Sequence, residues 1–297
     1  MLLNFLPEIQ KGNIKSLARG ISLIENQVPG SLELLKTLPA STTPVIGFTG
    51  PPGVGKSTLV NGLIGAFIKQ QKKIAILCID PSSPFHHGAF LGDRIRMNHW
   101  AANPGVYIRS LSSRGSLGGL HPRIFEITDL LKAAPYDYIL IETVGVGQSE
   151  LEIAGIADLT VMILTAGYGD EIQALKSGVL EIADLFVVNK ADHPGTKQFI
   201  TNLQSALHLG SKKTDIIETI ATEGVGVEGL LQVIEKLLES LHQKQYSNLA
   251  EKAYRLILAE KMKQIDKSDL SDKIKEESGS DHFNVYGFVH DYLAGRK

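Results

Sequence analysis

Gly50-Pro51-Pro52-Gly53-Val54-Gly55-Lys56-Ser57 carries glycines, a lysine and a hydroxyl at the spacing G-x-x-x-x-G-K-[ST]. A loop of that spacing turns its backbone N–H groups inward on phosphate oxygens, and the N-terminus of a following helix adds partial positive charge. Lys56 is placed to reach the β- and γ-phosphates and the Ser57 hydroxyl to sit on Mg²⁺, with Thr58 closing the nucleotide-binding run. The context fits: Pro44 to Phe48 reads as a short buried strand, and Thr58 to Ile68 as an apolar-faced helix. The chain is expected to bind a nucleoside triphosphate.

Three further groups select the base and handle the metal. Asn189-Lys190-Ala191-Asp192 follows the apolar run Leu185 to Val188. A carboxylate at Asp192 can accept from both N1–H and the exocyclic amine of guanine, a donor pair that adenine lacks. Asn189 would brace that loop and the Lys190 stem would cover the base, so GTP and GDP are the expected ligands. Glu142-Thr143-Val144-Gly145 follows another strand, Tyr138 to Ile141. Glu142 either holds Mg²⁺ through water or orients the attacking water, and Gly145 lets a backbone N–H approach the γ-phosphate. Asp80 and Asp93 are candidates for the rest of the magnesium shell. Asp93 lies in Gly92-Asp93-Arg94-Ile95-Arg96, where it could equally pair with an arginine or cap a helix. His86 and His87 stand without clustered cysteines or further histidines and read as a solvent-facing loop.

These groups need a scaffold that brings strand ends together. Apolar runs at 44–48, 74–79, 106–109, 138–141, 159–164, 185–188 and 215–220 alternate with helical segments. That alternation predicts an α/β fold of the phosphate-loop NTPase type, a mostly parallel sheet with helices on both faces. Ligands of such sheets bind beyond the carboxyl ends of the strands, where every motif above falls. Ahead of it, residues 5–26 carry one helical face of Ile14, Leu17, Ile21 and Ile24, within an N-terminal helical segment 1–40. The GTPase domain is assigned to 41–243. A C-terminal helical arm, 244–297, holds a helix over 246–265 that either packs on the domain or forms a dimer. Residues 91–102 read as helical. The tail from Asp266 is polar until Phe283 to Phe288, whose aromatics suggest docking.

Composition narrows the classes. At 297 residues with 43% hydrophobic residues the chain can bury a large core, and a net charge of −2 gives no footprint for nucleic acid or an anionic membrane. No apolar stretch is long enough to span a bilayer, and the N-terminus, interrupted by Pro7, Glu8 and Lys11, does not read as a signal peptide. A cytoplasmic location is expected. Cys78 is the single cysteine, so no disulfide framework forms within the chain.

Together the motifs resemble the MeaB/ArgK-type GTPases associated with methylmalonyl-CoA mutase. The likeness rests on Leu17 to Asn26, Gly50 to Thr58, Asp80 to Phe85, Leu91 to Met97, Arg114 to Gly119, Glu142 to Glu150 and Asn189 to Asp192. It implies a homodimeric GTPase that serves as chaperone to an adenosylcobalamin-dependent acyl-CoA mutase, gating cofactor loading and protecting or reactivating the mutase. By the same likeness Lys56, Ser57, Asp80, Asp93 and Glu142 take the phosphate, magnesium and catalytic positions. Ala221 would lie in the last base-contacting loop. Asp170, Gln173 and Lys176 would form a switch that relays nucleotide state to the mutase. The sequence departs from the family at His86-His87-Gly88, where a run of small residues is usual. Two other readings are a nickel-insertion GTPase of similar fold, which calls for His or Cys metal ligands, and a kinase of a transport-system protein, which calls for a phosphoryl acceptor.

Overall fold

The computed structural model describes residues 5–80, 97–113, 119–145, 149–167, 179–208, 214–240, 245–262, 265–278 and 284–293. Seven strands make one sheet: β1 (Val45–Thr49), β2 (Ile74–Asp80), β3 (Val106–Ser112), β4 (Tyr138–Glu142), β5 (Leu159–Leu164), β6 (Leu185–Asn189) and β7 (Asp215–Thr219). Their order is β3-β2-β4-β1-β5-β6-β7, and every neighbouring pair is parallel. β1, β2, β5 and β6 are buried at every position, which is why they are mainly apolar rather than alternating, with Asp80 and Asn189 at the carboxyl ends of β2 and β6. At one rim β7 is only partly covered, and its sequence carries Asp215 and Glu218 at exposed positions.

Aspartates mark the amino ends of the strands. Asp158 Oδ2 accepts from Val45 N at 2.8 Å, Asp137 Oδ2 from Lys73 N at 2.7 Å and Asp184 Oδ2 from Thr160 N at 2.9 Å. Backbone donors at that edge are thereby satisfied by the protein itself. Near the same edge, burial and the neighbouring Tyr107 push the Tyr136 phenol above its ordinary value. The carboxyl edge carries the glycine loops instead.

Helices cover both faces. On one side α4 (Lys56–Lys69) and α9 (Val227–Ser240) pack together, burying Leu59, Val60, Leu63, Leu230 and Ile234 against β1, β2 and β5 side chains. On the other, α2 (Ile14–Glu25) and α5 (Ile124–Lys132) place Leu17, Ile21, Ile24, Ile127 and Leu131 on the opposite side chains of β1 and β2 and on β3 and β4. α1 (Phe5–Gln10) and α3 (Ser31–Lys36) flank α2, and an ion pair of 2.7 Å from Arg109 to Glu25 ties α2 to β3. α6 (Ser149–Ala154), α7 (Val179–Ile182) and α8 (Thr196–His208) complete the layers between β4 and β7.

The chain divides into two compact units, Met1–Asn248 and Leu249–Lys297. α10 (Gln245–Met262) runs across that boundary, followed by α11 (Lys267–Ser278) and α12 (Val285–Leu293). In the second unit Phe288 is buried and stacks on Tyr292, over whose ring Lys273 Nζ lies at 5.3 Å. Leu249, Tyr254, Ile257, Leu258 and Met262 on α10 are exposed. No described helix is long and apolar enough to cross a membrane.

Several expectations change in detail. The single N-terminal helix is two, because Gly12 turns at φ +84° and the Asn13 side chain caps α2 by accepting from Ser16 N at 3.1 Å. Ile14, read on the buried face, is exposed, since it stands in the first turn of α2 beyond the packed stripe. Of the segment read as helical over 91–102, the described part is a single 3-10 turn at Asn98–Trp100. The polar tail folds as α11, which turns Leu270 and Ile274 inward and carries Lys273–Asp269 and Lys275–Asp272 pairs on its exposed side.

Candidate nucleotide site

The central strand determines where the site lies. β1 ends at Thr49 between β4 and β5, and the chain passes from it into the phosphate loop and straight into α4. Gly55 precedes α4 at φ +94°, and a Cβ there would run into Asn189 Nδ2, so both conformation and space require glycine. Lys56 is buried. Its Nζ donates to Gly50 O at 2.8 Å and Pro51 O at 3.0 Å, folding the cation over the loop that it closes. A dry ammonium needs such acceptors, and the loop carbonyls supply two.

The acids stand on adjacent strands. Glu142 ends β4 and Asp80 ends β2, with Cys78 in register with Glu142. Both carboxylates are buried, as is Ser57, whose hydroxyl donates to Glu142 Oε1 at 2.6 Å. Beyond Glu142 the chain turns back on the phosphate loop at Gly145 (φ +81°). The site of a Cβ there lies 2.5 Å from Gly50 O and 2.6 Å from Lys56 Nζ. Only a residue without a side chain fits that approach.

The base loop is tied to the phosphate loop by one amide. Asn189, the last residue of β6, donates from Nδ2 to Val54 O at 2.8 Å. Its Oδ1 accepts from Thr219 Oγ1 at 3.0 Å and from Ala221 N at 3.1 Å. One buried side chain thus joins three segments: the phosphate loop, β7 and the loop after β7. Lys190 holds the left-handed conformation at φ +55° and donates from Nζ to Gly53 O at 2.9 Å. A bridge between Ile220 and Val225 closes the loop that carries Ala221. Asp192 is exposed at the open end of the β6 loop. A glycine loop closed by a lysine, a hydroxyl bonded to one buried carboxylate with a second on the next strand, and an exposed carboxylate on a braced loop form the plan of a nucleotide site on a parallel sheet.

The sequence model of the family described as methylmalonyl Co-A mutase-associated GTPase MeaB matches residues 17–279. This chain belongs to the MeaB family. A Pyrococcus abyssi protein with a GTPase name is 40% identical over 252 residues, 82% of this chain and 78% of its own. GTPase ArgK of Escherichia coli is 36% identical over 240 residues, 76% of this chain and 72% of its own. The crystal structure of an LAO/AO transport system kinase matches with a TM-score of 0.69 at 26% identity, covering 93% of this chain and 87% of that one. HypB of Archaeoglobus fulgidus, a hydrogenase maturation factor, shares the fold alone (TM-score 0.51, 20% identity, 74% of this chain and 99% of that one).

Within this MeaB-family P-loop fold, Gly50 to Thr58, Asp80, Glu142, Gly145, Asn189, Lys190, Asp192 and Ala221 all stand at the carboxyl edge of the sheet. Asp93, Asp170, Gln173, Lys176 and the His86-His87 pair lie outside the described residues. Lys190, expected over the base, has its ammonium on the phosphate loop; Ala221 directs its N–H to Asn189. Sequence reasoning did not find Thr219, which shares Asn189 with Ala221. Nor did it find Thr49 and Thr143, whose hydroxyls meet at 2.9 Å. A register of β1 on β4 and of β6 on β7 was the signal needed, because these partners are remote in sequence.

Proposed function

We propose that this chain hydrolyses GTP to GDP and phosphate and uses that cycle as a chaperone of an adenosylcobalamin-dependent acyl-CoA mutase of the methylmalonyl-CoA type. In this role it gates cofactor loading and protects or reactivates the mutase. The observation that carries the GTPase reading is Asn189: it holds the Asp192 loop and the phosphate loop in one frame, so base recognition and phosphate binding are built together. The mutase partnership rests on the family, whose description names that association. The nematode methylmalonic aciduria type A homolog, 37% identical over 211 residues (63% of this chain, 53% of its own), supports it. A cytoplasmic homodimer, joined through the 244–297 arm, completes the reading.

In this reading Asp192 accepts from the guanine edge, and an adenine leaves that carboxylate unpaired. Lys56 swings from Gly50 O and Pro51 O to the β- and γ-phosphates, and loop N–H groups neutralise the remaining oxygens. Ser57, Glu142 and Asp80 present buried oxygens from α4, β4 and β2, a hard donor set that suits Mg²⁺, which takes one or two protein carboxylates and keeps phosphate and water ligands. The ion would supply charge neutralisation across the phosphates. The Gly145 backbone lies against the phosphate loop, where its N–H would contact the γ-phosphate and lose that contact once the group leaves. Asp93 joins the magnesium or switch set, and Asp170, Gln173 and Lys176 carry the nucleotide state to the mutase.

The test is turnover by the purified protein with GTP and with ATP, each with and without an adenosylcobalamin-dependent methylmalonyl-CoA mutase. Slow GTP hydrolysis, stimulated at least tenfold by the mutase, with ATP untouched, is the expected result. GTP turnover indifferent to the mutase removes the partner, and equal turnover of ATP removes the guanine site.

A further inference from the structure

Among the described residues, two side-chain hydrogen bonds link the end of β4 to the segment running from β1 through the phosphate loop into α4. One is Ser57 to Glu142, made by groups that the GTPase reading assigns to magnesium. The other uses none of the ligand-binding groups. Thr49 closes β1 and Thr143 follows the last residue of β4; their hydroxyls meet at 2.9 Å and both side chains are buried, at 0% and 2% exposure. Thr143 N also donates to Phe48 O at 3.0 Å, which carries the parallel ladder one step past the strands, to the point where the two chains diverge. Immediately beyond it lie Gly50, whose carbonyl accepts from Lys56, and the Val144-Gly145 turn, which closes on that same carbonyl.

We propose that the Thr49–Thr143 pair positions Gly145 against the phosphate loop and thereby sets how well the protein distinguishes GTP from GDP. This rests on the GTPase reading above. A Ser57 hydroxyl that turns to Mg²⁺ releases its bond to Glu142, whereas the hydroxyl pair, which needs no ligand-binding group, goes on joining the two loops at their roots. It is removed from solvent, so water cannot substitute for a lost partner. The GTPase reading assigns neither threonine to the nucleotide; both act through their neighbours Gly50 and Gly145. Without the link, the glycine N–H is free to drift from the γ-phosphate by the few tenths of an ångström that weaken a hydrogen bond. The α- and β-phosphate contacts, made by the loop itself, are unaffected.

The experiment compares affinities for GDP and for a non-hydrolysable GTP analogue, with single-turnover GTP hydrolysis, in wild type, T49V, T143V, T143S and T49V/T143V. In T143V the affinity for the GTP analogue falls about tenfold relative to GDP, and the hydrolysis rate falls with it. T143S, which keeps the hydroxyl, stays within about twofold of wild type. The double variant is no worse than T143V, because the two hydroxyls act as one unit. If a single valine variant does not fold, the double variant decides, since it leaves no hydroxyl orphaned. A folded T143V or T49V/T143V with the wild-type ratio of affinities overturns the positioning role and leaves the GTPase standing. A wild type that binds neither nucleotide overturns both.

Discussion

Replacing Asn189 with alanine tests the claim that one amide holds the site together. The side chain makes three hydrogen bonds, to Val54 O, Thr219 Oγ1 and Ala221 N, and it is almost fully buried. Each is worth about 1 kcal/mol net, so the truncation costs about 3 kcal/mol. In a unit of this size 1 kcal/mol moves the melting temperature by roughly 2–4 °C, which puts the fall at about 6–12 °C. Thr219→Val removes one of the three and lowers melting by about 2–4 °C on the same scale. Binding suffers too, because the phosphate loop near Val54 and the loop at Ala221 must then be ordered by the ligand, at about 1–2 kcal/mol per residue fixed. GDP affinity in Asn189→Ala is therefore expected to drop by at least about tenfold. Thermal unfolding of the nucleotide-free proteins and GDP titration measure the two quantities. An Asn189→Ala protein that melts within about 2 °C of wild type, or a Thr219→Val protein that falls as far as Asn189→Ala, refutes the reasoning.

Two other perturbations are as direct. Gly145→Ala puts a methyl 2.5 Å from Gly50 O and 2.6 Å from Lys56 Nζ at a positive φ. Single-turnover GTP hydrolysis is expected to fall by about a hundredfold or more, some 3 kcal/mol of transition-state stabilisation, with GDP affinity changed by less than tenfold; equal losses in both would place the glycine in general nucleotide binding. Tyr136→Phe changes alkaline stability. The folded phenol titrates above its ordinary value of 10.0, so the unfolded chain gives up the proton first and stability, complete below pH 10, falls as pH rises past it. Melting measured from about pH 9 to about pH 11 should decline less steeply in the phenylalanine variant, and parallel profiles would refute the assignment.

The fold was legible where burial is uniform. The inner strands β1, β2, β5 and β6 announce themselves as short apolar runs because both faces of the sheet are covered there, and their short length bounded by turns sets them apart from helix. The phosphate loop and the Asn189 to Asp192 loop were legible because backbone geometry at each is dictated by residue type within a few positions. α11 was not, since its sequence is mostly charged and offers only Leu270 and Ile274 as an apolar pair, too few to show a helical period. The break at Gly12-Asn13 was written in the sequence as a turn glycine followed by a capping side chain, and helical periodicity on both sides obscured it. Contacts such as Thr49 with Thr143 and Asn189 with Thr219 depend on which strand lies beside which. No local pattern contains that, and the order of a parallel sheet is set by how its crossovers pack.

The placement of β1 between β4 and β5 also governs how the protein opens. A strand flanked on both sides exposes its amides only when a whole neighbour peels away, whereas β3 and β7 at the rims can part from one partner alone. Local opening therefore starts at the rims and reaches β1 last, in the transition that unfolds the sheet. The phosphate loop grows from the strand expected to exchange its hydrogens last, so a bound nucleotide would be anchored on the part of the molecule that outlasts the smaller fluctuations.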